Sequence, residues 1–121
     1  MMDTLQAEVY TALAATGTHL DYFFPTDARV IPSISWYESA NSVKARADNA
    51  EYLTDVSYVI DLWGATPEEN SALAIHVDTH LSAIGLERVF STDLYELETM
   101  VHHKSMRYRG VIHIAQQKVY Q

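Results

Sequence analysis

Residues 52–85, YLTDVSYVIDLWGATPEENSALAIHVDTHLSAIG, carry a strand, a sharp turn and a helix with every boundary marked. The even positions run Tyr52, Thr54, Val56, Tyr58, Ile60 and Leu62, mostly apolar or β-branched, while the odd positions include Asp55, Ser57 and Asp61. Such alternation predicts a strand with one face in a core and the other toward water or a partner. Gly64 breaks the strand. Thr66-Pro67-Glu68-Glu69 then opens a helix, with Thr66 as N-cap, Pro67 where a missing N–H costs nothing, and Glu69 closing a capping box. Leu73, Val77, Leu81 and Ile84 recur at helical spacing, and Gly85 suits the left-handed position after the C-cap.

Upstream, Asp3-Thr4-Leu5-Gln6 reads as a second capping box, and Leu5, Val9, Ala12 and Leu13 fall on one side of a helix that Gly17 ends. Residues 19–24 form a short strand or extended link closed by Pro25-Thr26-Asp27. Residues 30–38 are a better strand, containing Val30, Ile31, Ile34, Trp36 and Tyr37; Pro32 cannot donate to a ladder and marks an edge or a strand start. The polar run 39–49, SANSVKARADN, reads as an exposed connection between antiparallel strands. It is longer than a tight hairpin needs, which suits a contact role.

Downstream, residues 86–96, LERVFSTDLYE, form a strand with imperfect alternation, followed by a loop at 97–103. In the last strand Met106, Tyr108, Ile112 and Ile114 share one face, while Arg107, Arg109 and His113 share the other. Gly110 lies on the apolar side, and residues 116–121 extend the strand or form a tail. The order is therefore α-β-β-α-β-β in a single domain spanning residues 1–121. The helix between two strands makes a crossover, and the remaining neighbours pair antiparallel. The economical fold is an α+β two-layer sandwich: a mainly antiparallel sheet of about four strands with both helices on one face.

Composition narrows the function. The chain has 121 residues, 48% hydrophobic and 20% charged, as expected of one globular domain. No apolar run approaches the roughly 18 residues that span a bilayer, and the opening MMDTLQAEVY carries early acid, so no secretory signal is expected. Cysteine is absent, which excludes disulfide and thiol chemistry. Sixteen acids against eight Lys plus Arg give a net charge of −8, which lacks the electrostatic footprint of a nucleic-acid binder.

Few residues invite chemistry. His76 and His80 have the i, i+4 spacing of zinc ligands, but Val77 stands where a zincin needs Glu, and both read as residues bordering the core stripe. The run His102-His103-Lys104-Ser105-Met106-Arg107-Tyr108-Arg109 is the only basic cluster. It has the makings of an anion site, yet it more simply complements the abundant acids, within the sheet face or on an adjoining subunit. Glu68 and Glu69 suit a helix N-terminus, and Glu96 and Glu98 have no acid–base partner at fixed spacing. Nucleophile elbows, Walker loops and dinucleotide fingerprints are missing. The expectation is a non-enzyme with no cofactor and no metal.

The order of these phrases carries a resemblance. An N-terminal helix ends near Gly17, and VIPSISWY follows at 30–37. YVIDLWG follows at 58–64, a capped helix reaches LSAIG at 81–85, and KSMRYRG closes at 104–110. Over nearly its whole length the chain resembles the tail-terminator, or tail-completion, proteins of long-tailed bacteriophages and prophages. The resemblance implies an α+β subunit assembled as a hexameric ring on the last ring of the tail tube. There it stops tube growth and presents a joining surface to the head connector, while DNA passes through unread. It further implies a virion location at the head-proximal end of the tail, after assembly in the host bacterial cytoplasm. Candidate contact residues toward neighbouring subunits or partners are Lys44, Arg46, Asp55, Asp61, His102, His103, Lys104, Arg107, Arg109 and His113. The competing readings are another neck or minor tail protein of the same fold, and a small metal enzyme or ligand-binding module using His76, His80, His102 and His103.

Overall fold

A computed structural model of the chain describes residues 3–25, 30–47, 50–96, 100–113 and 118–120. The elements are α1 (Asp3–Ala14), β1 (His19–Tyr22), β2 (Ser33–Ala47), β3 (Ala50–Gly64), α2 (Pro67–Ala83), β4 (Glu87–Glu96), β5 (Val101–His113) and β6 (Lys118–Tyr120). The fold is α+β, but the sheet has six strands rather than about four, in the order β1-β2-β3-β5-β4, with β6 also on β5.

Three departures from the sequence reading have physical causes. First, residues 39–47 of the polar run are not a loop, while 48 and 49 lie outside the described residues. β2 continues through them to Ala47, paired antiparallel with β3 from Ser33↔Trp63 to Ala47↔Ala50, with register shifts after Glu38, Val43 and Ala45. Bulges let a strand carry small polar residues without strict alternation, so no periodicity marks it. Second, β1 pairs parallel with β2, Leu20↔Ile34 and Tyr22↔Trp36, so the neighbours are not all antiparallel. Third, β5 begins at Val101, which shortens the loop expected at 97–103. The crossover is present in a split form. β3 and β4 each run antiparallel to β5, which separates them, so β3 and β4 are mutually parallel and joined through α2.

Both helices lie on one face of the sheet. Leu5, Val9, Ala12 and Leu13 of α1 are buried, as are Val77 and Leu81 of α2. They join one core with the even side of β3 (Val56, Tyr58, Ile60, Leu62) and with Ile34, Trp36, Met106, Tyr108 and Ile112. Each such aliphatic side chain contributes roughly 1.5–3 kcal/mol by leaving water. Burial of the stripe therefore holds the helices down, and local signals set where they start and stop.

Those signals act at α2. Thr66 Oγ1 accepts from the Glu69 N–H at 3.1 Å. Glu69 Oε1 accepts from the Ala65 N–H at 2.9 Å, one residue before the position a standard capping box uses. At the other end Gly85, at φ +94°, lets its N–H reach the Ser82 carbonyl and the Leu86 N–H reach the Leu81 carbonyl. Those two bonds make a Schellman motif and satisfy the last carbonyls. The N-cap assigned to Asp3 lies outside the described side chains.

Gly64 does more than end β3. It pairs with His102 as the last residue of the strand, and α2's first turn sits against it. A Cβ there would stand 2.5 Å from Asn70 Oδ1 and 2.7 Å from Glu69 Oε1. Asn70 is buried, and its Nδ2 donates to the His102 carbonyl at 2.9 Å, tying α2 to β5.

Candidate functional site

The helices leave the opposite, outer face of the sheet uncovered. Residues paired across a ladder share a face, so the register reads that face row by row. One row crosses Ser33, Trp63, His103 and Leu94, the next Ser35, Asp61, Ser105 and Thr92. A third crosses Tyr37, Val59, Arg107 and Phe90, and a fourth Ala40, Ser57, Arg109 and Glu87.

The first two rows form a bonded cluster. His103 stacks on Trp63 with centroids 4.0 Å apart and planes 10° from parallel. Its Nε2 meets Asp61 Oδ1 at 2.9 Å, with both side chains 13% exposed. Trp63 Nε1–H donates to Ser35 Oγ at 2.9 Å. Asp61 and His103, both contact candidates by sequence, stand in adjacent rows of the ladder and their side chains bond to each other. Farther along, Arg109 Nη2 lies 3.3 Å from Asp55 Oδ1, with the two side chains 50% and 34% exposed, a pair that water screens.

The basic cluster of β5 does not act as one patch, because alternation divides it. His103, Arg107 and Arg109 lie on the outer face, while His102 and Lys104 fall on the helix side. There the His102 ring meets Tyr95 with centroids 4.7 Å apart, and Lys104 Nζ reaches Asp93 Oδ1 at 2.8 Å. Arg107 is exposed on the outer face. Lys44, Arg46 and His113 occupy strand positions whose side chains lie outside the described set; Arg46 pairs with Glu51 and His113 with Leu53.

The pattern of residue types missed the exposed apolar groups. Phe90, Leu94 and Tyr95 on β4 are 53%, 51% and 46% exposed, on a strand at the edge of the sheet. Their signal was present in the imperfect alternation of β4: Val89-Phe90 and Leu94-Tyr95 are adjacent apolar pairs, which cannot both face one core, and all four side chains are 46–53% exposed. A second group stands at the end of β1, where Tyr22, Phe23 and Phe24 are 47%, 46% and 73% exposed. Phe23 has φ +76°, and the Phe24 N–H donates across it to the Tyr22 carbonyl at 3.1 Å. This is the rare form of γ-turn, held at an aromatic residue at a cost of order 1–3 kcal/mol. Phe23 stacks on Tyr37 at 5.2 Å and 8°, and Tyr22 meets Trp36 edge-on at 4.9 Å.

The strongly perturbed acids and bases are core groups. Burial, and then Glu38 beside it, push the Tyr58 phenol far above its ordinary value. Tyr58 Oη–H donates to Glu38 Oε1 at 3.0 Å. Burial and the bond to Asp78 do the same for Tyr108, whose Oη–H donates to Asp78 Oδ1 at 2.8 Å, against a smaller lowering by Arg88. Both phenols stay neutral and fasten strands or helix to their neighbours. In α2, His76 is exposed and His80 half-buried. Among the described residues no group of three or more His, Cys, Asp or Glu is arranged to hold a metal ion. No helix among them is long and apolar enough to cross a membrane. No protein-family model and no curated protein matches the chain.

Proposed function

We propose that this chain is a structural subunit of a long-tailed phage, a tail terminator that closes into a ring on the tail tube. The observation that carries the proposal is the resemblance running over nearly the whole sequence. A sheet with one helix-covered face and one uncovered face, edged by exposed aromatic residues, supports it. A subunit that contacts two identical neighbours head-to-tail in a ring needs two different adhesive surfaces, since such ring contacts are heterologous. On this reading the tube protein and the head connector are its axial partners, DNA passes through its centre, and it performs no catalysis.

Native mass spectrometry of the purified chain, alone and with tail-tube protein, tests the ring. A hexamer that binds tube ends is expected. A strict monomer that neither caps tubes nor joins heads refutes it. A phage lacking the gene should make overlong tails; tails of normal length left unattached to heads would instead place the chain among the head-side neck proteins.

A further inference from the structure

β4 is open on three sides, along its free edge and on both its faces. It ends the sheet, and among the described residues it pairs with β5 alone. No side chain at 87–95 is buried, although Val89, Phe90, Leu94 and Tyr95 are large and apolar. Edge strands ordinarily carry proline, lysine or a bulge that stops a further strand from adding. A register shift between Arg88 and Phe90 interrupts the start of β4. Residues 90–95, in contrast, run beside β5 without interruption and contain neither proline nor lysine. Their one charge, Asp93, is matched by Lys104 of the same subunit at 2.8 Å.

The order of residues on this edge complements itself. Phe90, Thr92 and Leu94 share the outer face with Arg107, Ser105 and His103, while Ser91, Asp93 and Tyr95 lie on the helix side. Two copies of β4 related by a two-fold axis normal to the sheet would run antiparallel with matching faces, which requires one residue to oppose its own copy. With Thr92 at the axis, Phe90 opposes Leu94, Ser91 opposes Asp93, and Val89 comes beside Tyr95. Apolar groups then meet apolar groups, a hydroxyl meets a carboxylate, and no like charges are opposed. An axis at Asp93 would oppose two carboxylates. An axis at Ser91 would set Phe90 against Thr92 and Val89 against Asp93.

We propose that β4 is a self-association strand: β4 of two copies pair antiparallel about a two-fold axis at Thr92, joining their six-stranded sheets into one. The contact is isologous, so it is separate from the head-to-tail contacts of a ring and does not rest on that reading.

A residue on the axis meets only itself, and this gives the test. Thr92→Lys and Thr92→Glu each oppose like charges at an exposed edge. Each should keep the wild-type circular dichroism spectrum and melting temperature, and weaken dimerisation at least tenfold in sedimentation. An equimolar mixture of the two should recover a one-to-one heterodimer. Thr92→Cys places a single thiol in a chain without cysteine. Directly opposed Cα atoms stand roughly 4.5–5.5 Å apart, within disulfide reach, so mild oxidation should link two copies through position 92. Ser91→Cys and Asp93→Cys should link at least tenfold more slowly, since each faces the other position. A wild-type chain that sediments as a monomer, charge variants that associate as wild type does, a mixture that recovers nothing, or faster linkage at 91 or 93 than at 92 would overturn the contact. Rings that form while position 92 stays unlinked would overturn it and leave the ring reading standing. Dimers linked at 92 from a chain that caps no tubes would support it and tell against the ring.

Discussion

Replacing Gly64 with alanine should unfold this protein more easily, although the residue's backbone angles do not demand glycine. The added Cβ would stand 2.5 Å from Asn70 Oδ1, 2.7 Å from Glu69 Oε1 and 3.3 Å from Asn70 Cγ. Glu69 can swing away, but its carboxylate then releases the Ala65 N–H that it caps. Asn70 is 1% exposed and bonded to the His102 carbonyl, so its retreat breaks the tie between α2 and β5 inside the core. Overpacking of this kind costs roughly 1–3 kcal/mol, and a buried amide stripped of its bond costs about 1–3 kcal/mol. Against this, alanine restricts the unfolded chain and returns roughly 0.4–1 kcal/mol. The balance is a loss of about 1–3 kcal/mol. For a domain of this size that lowers the melting temperature by roughly 4 °C per kcal/mol. Urea titration followed by circular dichroism measures it, and the cycle with Asn70→Ala isolates its cause. Gly64→Ala should cost at least ~1 kcal/mol less when Asn70 is already truncated. A Gly64→Ala protein as stable as wild type, or equal costs in both backgrounds, would refute the steric argument.

Other expectations follow from single contacts. Thr66→Ala removes the acceptor for the Glu69 N–H and should cost about 1 kcal/mol in urea, with the m-value unchanged. Tyr58 and Tyr108 have folded pKa values raised above their unfolded ones, so their stabilisation is whole below about pH 10 and declines as pH rises further. Each contributes up to roughly 1.4 kcal/mol of loss per pH unit, and replacing both with phenylalanine should flatten the alkaline limb measured by denaturant titration between pH 9 and 11.5. An unflattened limb would mean that other groups set it. Asp55→Ala breaks a pair half open to water and should change stability by less than about 1 kcal/mol. Asp61→Ala removes the acceptor beneath a sheltered His103 and should cost about 1.5 kcal/mol or more. Reversal of that order would mean that burial does not rank these pairs.

Much of the architecture was legible because burial follows period. The four residues assigned to the buried side of α1 are all buried, and the even side of β3 from Thr54 to Leu62 faces the core. The caps of α2 were legible for a different reason: Thr66, Pro67, Glu69 and Gly85 act through local bonds that need no distant partner. What failed was non-local. The short strand expected at 19–24 is present as β1, but its four residues carry no mark of its parallel pairing with β2. Residues 39–47 are held by their ladder to β3, so their small polar side chains say nothing of it. At the candidate site, alternation sorted Asp55, Asp61, Arg107 and Arg109 correctly onto the outer face, but pattern does not reveal which charges satisfy each other there.

That pairing shifts where assembly energy must originate. Asp61 is bonded to His103, Asp55 to Arg109 and Lys104 to Asp93 within one subunit, so these charges gain little by meeting a neighbour and lose hydration on doing so. Left among the described candidates on the outer face is Arg107, exposed beside Phe90. The apolar groups stay open to water: Phe24, Phe90, Leu94 and Tyr95 are between 46% and 73% exposed on a chain whose net charge of −8 makes subunits repel. Contacts between copies must overcome that repulsion, and burying aromatic area is the means the surface offers. Raising salt should therefore strengthen self-association, because it screens the repulsion and leaves hydrophobic burial intact. Sedimentation between 50 mM and 500 mM NaCl decides the matter. Association that weakens with salt would return the charged residues to the centre of the interface.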